Sequence, residues 1–204
     1  VALNGDAALK LYLDSGYSQE KIVRVEALRY IHLGCYGDFT VEDKVGYNTK
    51  NLLVLGDYLP ENTFNQLEIL KMALKDSNSK FNIFFKPHPH CRMDMTEFSD
   101  LNMKIVNSPV ADLISMYKTV YASNRTSASV EAYYARCVVV SFLEKNKLNS
   151  SPLRGVEGVY FASTPQEVLH GIDKITGVLP NESSSNYFYL DDDMYRMYKC
   201  IFDE

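Results

Sequence analysis

The stretch TVYASNRTSASVEAYYARCVVVSF, Thr119 to Phe142, decides the fold. Its first five residues are apolar or small, without the alternation of a half-exposed strand. The middle carries helix formers, and VVVSF at 138–142 is again continuously apolar. A strand buried on both faces, a helix, and a second strand of the same kind make one parallel crossover unit.

The same grain continues on both sides. Upstream, NLLVLG (51–56) predicts a strand and ENTFNQLEILKMALKDS (61–77) an amphipathic helix with Phe64, Leu67, Leu70 or Lys71, and Leu74 on one face. FNIFF (81–85) and MKIVN (103–107) predict further strands, with VADLISMY (110–117) a short helix. Downstream, VYFA (159–162) predicts a sixth strand. TPQEVLHGIDKIT (164–176) predicts a helix, with Thr164 as cap and Pro165 at the first helical position. The expectation is therefore α/β: a doubly wound, Rossmann-like parallel sheet of about six strands with flanking helices.

A helical N-terminal segment precedes this unit. NGDAALKLYLDSG (4–16) and SQEKIVRVEALRYIHL (18–33) both read as helices, the second capped by Ser18. GCYGDFTVEDKVGYNT (34–49) is polar and broken by glycine, which places a boundary near residue 45. The expected division is 1–45, the helical end of a preceding domain or linker; 46–180, the Rossmann-like domain; and 181–204, a Ser-rich linker and a tail helix behind three aspartates. The chain opens on Val1 rather than Met, and it is expected to be a piece of a longer protein.

Composition narrows the function. The 204 residues carry a net charge of −5, with no Lys/Arg-rich run, which argues against nucleic acid as partner. No apolar stretch approaches the roughly 20 residues of a membrane span. Cys35, Cys91, Cys137 and Cys200 lack metal-site spacing and read as reduced thiols.

In a doubly wound sheet, ligands bind beyond the carboxyl ends of the strands. Three loops at that edge carry chemistry. In KPHPH (86–90), prolines fix the backbone on either side of His88. Lys86 and His88 suit an anion, although a strand-end His that caps carbonyls fits the same residues. Asn124, Thr126, Ser127 and Ser129 crowd a helix start where free backbone N–H groups suit phosphate. Glu131, one turn in, suits ribose hydroxyls or simply the helix dipole. LEKNKLNSSPLRGVEG (143–158) is long and polar, with Arg154 as an anion contact or a solvated cation, and Asn149 and Ser151 as hydrogen-bonding partners. A metal pair at His88 and His90 is disfavoured, because His32 and His170 are poorly placed to join it and, with Asp94 as a carboxylate ligand, a third is not obvious.

KPHP at the end of the second strand, followed by TSASVEA and then by the TPQE helix start, resembles the donor domain of GT-B-fold glycosyltransferases over roughly residues 50–178. The likeness is to bacterial surface-carbohydrate enzymes, including KPHP-containing sialyltransferases and CDP-glycerol glycerophosphotransferases. NSSPLRG resembles their donor-side loop. The resemblance implies donor-phosphate contacts from His88, Thr126, Ser127 and Ser129, and ribose contacts from Glu131; His88, as catalytic residue, and Lys86 are the expected main electrostatic contributors. It implies a nucleotide-activated sugar as substrate, no metal or other cofactor, and a carbohydrate or lipid-linked acceptor held by an N-terminal acceptor domain outside this chain. The expected location is the cytoplasm, at the inner face of the membrane. A non-catalytic nucleotide-sugar-binding module, a sugar-nucleotide epimerase and a metal-dependent hydrolase remain the alternatives.

Overall fold

The computed structural model describes residues 1–36, 50–75, 77, 80–174 and 187–202. The expected boundary near residue 45 and the Ser-rich linker lie outside the described residues. The chain divides into two compact units, Val1–Asp38 with Asn181–Glu204, and Phe39–Pro180.

The smaller unit departs from the sequence expectation. β1 (Ala2–Leu3) leads into α1 (Asp6–Asp14), as the first helix was expected to run. Residues 18–33 are not a second helix. A 3-10 turn at Gln19–Lys21 gives way to β2 (Val23–Arg24), which pairs in parallel with β1, and a 3-10 segment follows at Leu28–Tyr36. Ser18 forms no side-chain cap bond. The β-branched run Ile22–Val23 favours extended backbone, and the Val23 and Val25 N–H groups bond to the carbonyls of Val1 and Leu3.

Glu26 provides the stronger reason, because helical periodicity does not account for its burial. Its carboxylate is buried and accepts from the backbone N–H groups of Arg196 (2.9 Å) and Met197 (2.7 Å), in the first turn of the C-terminal helix. Those amides have no partner within their own helix, so a carboxylate there both caps it and meets its dipole.

The larger unit follows the predicted order: β3 (Asn51–Leu55), α2 (Pro60–Lys75), β4 (Asn82–Lys86), β5 (Lys104–Ile105), α3 (Val110–Ile114), β6 (Thr119–Ser123), α4 (Ala128–Tyr134), β7 (Val138–Phe142), β8 (Val159–Ala162) and α5 (Pro165–Lys174). The C-terminal helix of the smaller unit is α6 (Tyr195–Phe202), shorter than the expected tail. All six strands of the larger sheet are parallel, in the order β5-β4-β3-β6-β7-β8. Counted within the unit this is 3-2-1-4-5-6, the doubly wound Rossmann arrangement. The fold class expected from sequence is the one observed.

Alternation along each strand distributes the core. Leu52 and Val54 of β3 join Leu67, Leu70, Phe85, Tyr121, Val140 and Ile172 in one cluster, against which α2 and α5 pack. Leu53, Leu55, Val120 and Val130 are equally buried, with α3 and α4 in contact on their side. Each such side chain contributes about 1.5–3 kcal/mol when fully buried. Among the described residues, no helix is long and apolar enough to cross a membrane.

Candidate functional site

The strand order reverses between β3 and β6, where successive crossovers leave toward opposite edges of the sheet. A crevice opens at that point between the two carboxyl ends. At the end of β3, Gly56 packs closely on the core: a Cβ there would lie 3.2 Å from the Phe85 ring, which would have to shift to admit it. Asp57 follows, buried, with three donors on its carboxylate. Leu59 N–H (2.8 Å) and Asn62 Nδ2 (3.2 Å) donate to Oδ1, and Ser123 Oγ donates to Oδ2. The Asp57 N–H in turn donates to Thr63 Oγ1 (2.9 Å), which locks the loop to α2.

β4 delivers the proline-flanked histidines. The His90 backbone N–H donates to His88 Nδ1 (3.2 Å), and the Cys91 N–H donates to the His88 carbonyl (2.9 Å), so the segment turns instead of staying extended. Both rings lie on one side of the segment. Their centroids lie 5.8 Å apart, and both pack on Tyr58, at 5.4 Å for His88 and 6.1 Å for His90.

Metal ligation by His88 is disfavoured for another reason. With Nδ1 accepting a hydrogen bond, the neutral ring carries its proton on Nε2, which is then a donor rather than a ligand. Among the described residues, no group of three or more His, Cys, Asp or Glu is placed to hold a metal ion. Lys86 ends β4 with its Nζ donating to the Asn107 carbonyl (3.2 Å), and it does not line the cleft.

β6 ends in Ser123 and runs through Asn124 and Arg125 into α4. Ser127 occupies the N-cap position without a side-chain cap bond. Thr126 Oγ1 accepts from the Ala128 N–H (3.4 Å). Ser129 is fully buried and its Oγ donates to the Thr126 carbonyl (2.7 Å), so it shapes the helix start rather than facing the cleft.

These three strand ends enclose a cleft of about 600 Å³. Asp57, Tyr58, His88, Arg125, Thr126, Ser127 and Glu131 line it, with Leu59, Pro89, Val110 and Ala128. His88, Thr126, Ser127 and Glu131 are thus brought together from segments distant in sequence. Arg125 also borders a second cavity of about 300 Å³, lined by Asn62, Ser123, Asn124, Phe142, Glu144, Lys147, Leu148 and Ser150. There Lys147 Nζ meets Glu144 (2.6 Å) and donates to Asn62 Oδ1 (3.3 Å); the Glu144 carboxylate raises the pKa of the Lys147 ammonium.

The rest of the long loop is occupied with itself. Asn149 Oδ1 accepts from the Ser151 N–H (3.0 Å), Ser151 Oγ accepts from the Leu153 N–H (3.1 Å), and Arg154 donates to the Asn149 carbonyl (3.1 Å). None of these three residues lines either cavity. The start of α5 is closed in the same way: the Glu167 carboxylate accepts from the N–H groups of Ser163 (2.7 Å) and Thr164 (3.0 Å), and Ser163 above all holds its pKa below the usual value.

Asp57, Tyr58 and Arg125 escaped the sequence reading. The signal for Asp57 and Tyr58 was present, since both directly follow NLLVLG at the edge where ligands bind.

No protein-family pattern and no curated protein sequence matches the chain. Solved structures do match it in fold. UDP-GlcNAc 2-epimerase from Methanocaldococcus jannaschii, in complex with UDP-GlcNAc and UDP, superposes with a TM-score of 0.65 at 12% identity, covering 100% of this chain and 60% of that one. UDP-N-acetylglucosamine 2-epimerase from Rickettsia bellii gives 0.55 at 13% identity, over 99% of this chain and 57% of that one. Anabaena HepE, in complex with UDP and glucose, gives 0.54 at 13% identity, over 98% and 62%. The larger unit has the fold of a Rossmann-like GT-B domain. The chain spans about three fifths of the length of these structures.

Proposed function

We propose that the chain is the donor-binding part of a glycosyltransferase, which transfers a sugar or related group from a nucleotide-activated donor to a surface-carbohydrate or lipid-linked acceptor. One observation carries this reading: His88, Arg125, Thr126, Ser127 and Glu131 converge on a single cleft at the topological switch point. A guanidinium, an imidazole Nε2–H and two hydroxyls suit a diphosphate, and Glu131 suits the hydroxyls of a ribose. As the bond to the transferred group breaks, negative charge grows on the leaving phosphate. Fixed donors aimed there stabilise it without reorganising. The resemblance of KPHP and TSASVEA to bacterial surface-carbohydrate transferases supports the same substrate class.

The acceptor and its N-terminal domain belong to this proposal, as does work at the inner face of the membrane. Calorimetric titration with CMP, CDP, UDP, GDP and ADP in EDTA tests it. One nucleotide binds, and His88→Ala weakens that binding without unfolding the chain. Absence of binding by every nucleotide overturns the reading.

A second reading has an observation of its own. Asp57 and Glu131 place two carboxylates on the same cleft, as proton transfer at a sugar carbon in an epimerase would require. Incubation of a UDP-sugar in deuterated water separates the two: an epimerase incorporates deuterium into the sugar, whereas a transferase returns it unlabelled.

A further inference from the structure

We infer that Tyr58 is the nucleobase-stacking residue of the cleft, so that it supplies affinity for the ring the donor carries; this rests on the donor-binding reading above. Tyr58 lines the cleft with 60% of its surface exposed. Isolated exposed aromatics are ordinary, but this one is held on both sides. Asp57 before it is fixed to α2 through Thr63, and the Leu59 N–H after it is bound by the Asp57 carboxylate at 2.8 Å. The ring is steadied by His88, edge to face at an interplanar angle of 81°.

An aromatic side chain has few torsions to lose on binding, and a fixed backbone lowers that cost further. The lining holds two kinds of chemistry: Arg125, Thr126 and Ser127 are polar, whereas Leu59, Pro89 and Val110 are apolar. A nucleoside diphosphate carries both as well, in its charged oxygens and its flat, weakly solvated ring. A π-face accepts any base by stacking, so Tyr58 supplies affinity for the ring, and hydrogen bonds elsewhere choose among bases.

The test titrates the full chain with UDP, CDP, ADP, ribose 5-phosphate and inorganic pyrophosphate, comparing wild type with Tyr58→Phe and Tyr58→Ala. Thermal melts confirm that both variants fold. Tyr58→Ala is expected to weaken the bound nucleotide roughly tenfold to hundredfold. It should leave ribose 5-phosphate and pyrophosphate within about twofold, because neither bears a ring to stack, and Tyr58→Phe should retain nucleotide affinity. Base protons of the bound nucleotide should shift upfield in the wild type and not with Tyr58→Ala. If Tyr58→Ala leaves the nucleotide unchanged, or weakens ribose 5-phosphate equally, the stacking role is overturned and the donor-binding reading stands. If wild type binds none of the nucleotides, the donor-binding reading fails and the stacking role with it.

Discussion

Ser123 donates its hydroxyl to the carboxylate of Asp57, joining the carboxyl ends of β6 and β3 across a sequence separation of 66 residues. The bond lies at the switch point of the sheet, where β3 and β6 run side by side. Three buried or half-buried donors depend on this one carboxylate.

Asp57→Ala is therefore expected to cost about 2–4 kcal/mol, since it strands those donors. Ser123→Ala removes the donor on Asp57 Oδ2 and the acceptor of the Arg125 N–H, and should cost about 1.5–3 kcal/mol. Chemical denaturation of both single variants and the double variant measures the coupling. Additive losses would mean that the two groups do not interact in solution.

His88 and Lys86 are neighbours in KPHP with opposite expected phenotypes. His88→Ala should weaken the bound nucleotide about tenfold to hundredfold, the worth of one hydrogen bond to a charged group. Lys86→Ala should change it less than about threefold, because its ammonium already donates to the Asn107 carbonyl and lies off the cleft wall. In imidazole 15N spectra the neutral His88 ring should carry its proton on Nε2. A proton on Nδ1 would contradict the bond from the His90 N–H.

Helix α5 provides a test by pH. Glu167 and Thr164 cap it reciprocally, with the Glu167 N–H donating to Thr164 Oγ1 at 3.2 Å. Thr164→Ala should destabilise the larger unit by about 1 kcal/mol. Because folding lowers the Glu167 pKa from 4.5, its contribution is complete above that value and fades as pH falls through the lower, folded one. Urea midpoints of wild type and Glu167→Gln, measured between neutral and acidic pH, should converge on the acid side. Parallel curves would mean that the carboxylate charge plays no part.

Gly171 lies where α5 crosses the sheet. A Cβ there would fall 2.8 Å from the Tyr160 ring and 2.9 Å from a Val140 methyl. Alanine gains about 1 kcal/mol of helix propensity, but Val140 is fully buried in β7 and has no room to yield. Gly171→Ala should thus show a net loss of about 1–2 kcal/mol by thermal or chemical denaturation. A rise in stability would show that α5 can lift from the strands.

The larger unit was legible because its strands are apolar on both faces and its helices are not. VVVSF and NLLVLG admit few other readings once helices separate them. Residues 18–33 were misread because Ile22, Val25, Leu28 and Ile31 fit helical spacing, whereas the local structure is set by partners far along the chain: Val1, Leu3 and the amides of α6. The candidate site was legible where prolines or hydroxyls crowd a strand end. Asp57 and Tyr58 sit at such an end without any such crowding. Ser129, Asn149, Ser151 and Arg154 are the converse, polar residues at the right edge whose hydrogen bonds serve their own loops.

The smaller unit draws on both chain ends, with Glu26 meeting Arg196 at a separation of 170 residues. During synthesis its halves emerge far apart in time. Phe39–Pro180 is contiguous and precedes α6 in the chain, so the sequence of the larger unit is complete while Glu26 still lacks its partner. Its folding then replaces a long flexible tether with a compact body between the two halves, which lowers the entropic cost of bringing them together. The connectivity thus allows the sheet to form before the two-ended unit during synthesis, and not the reverse.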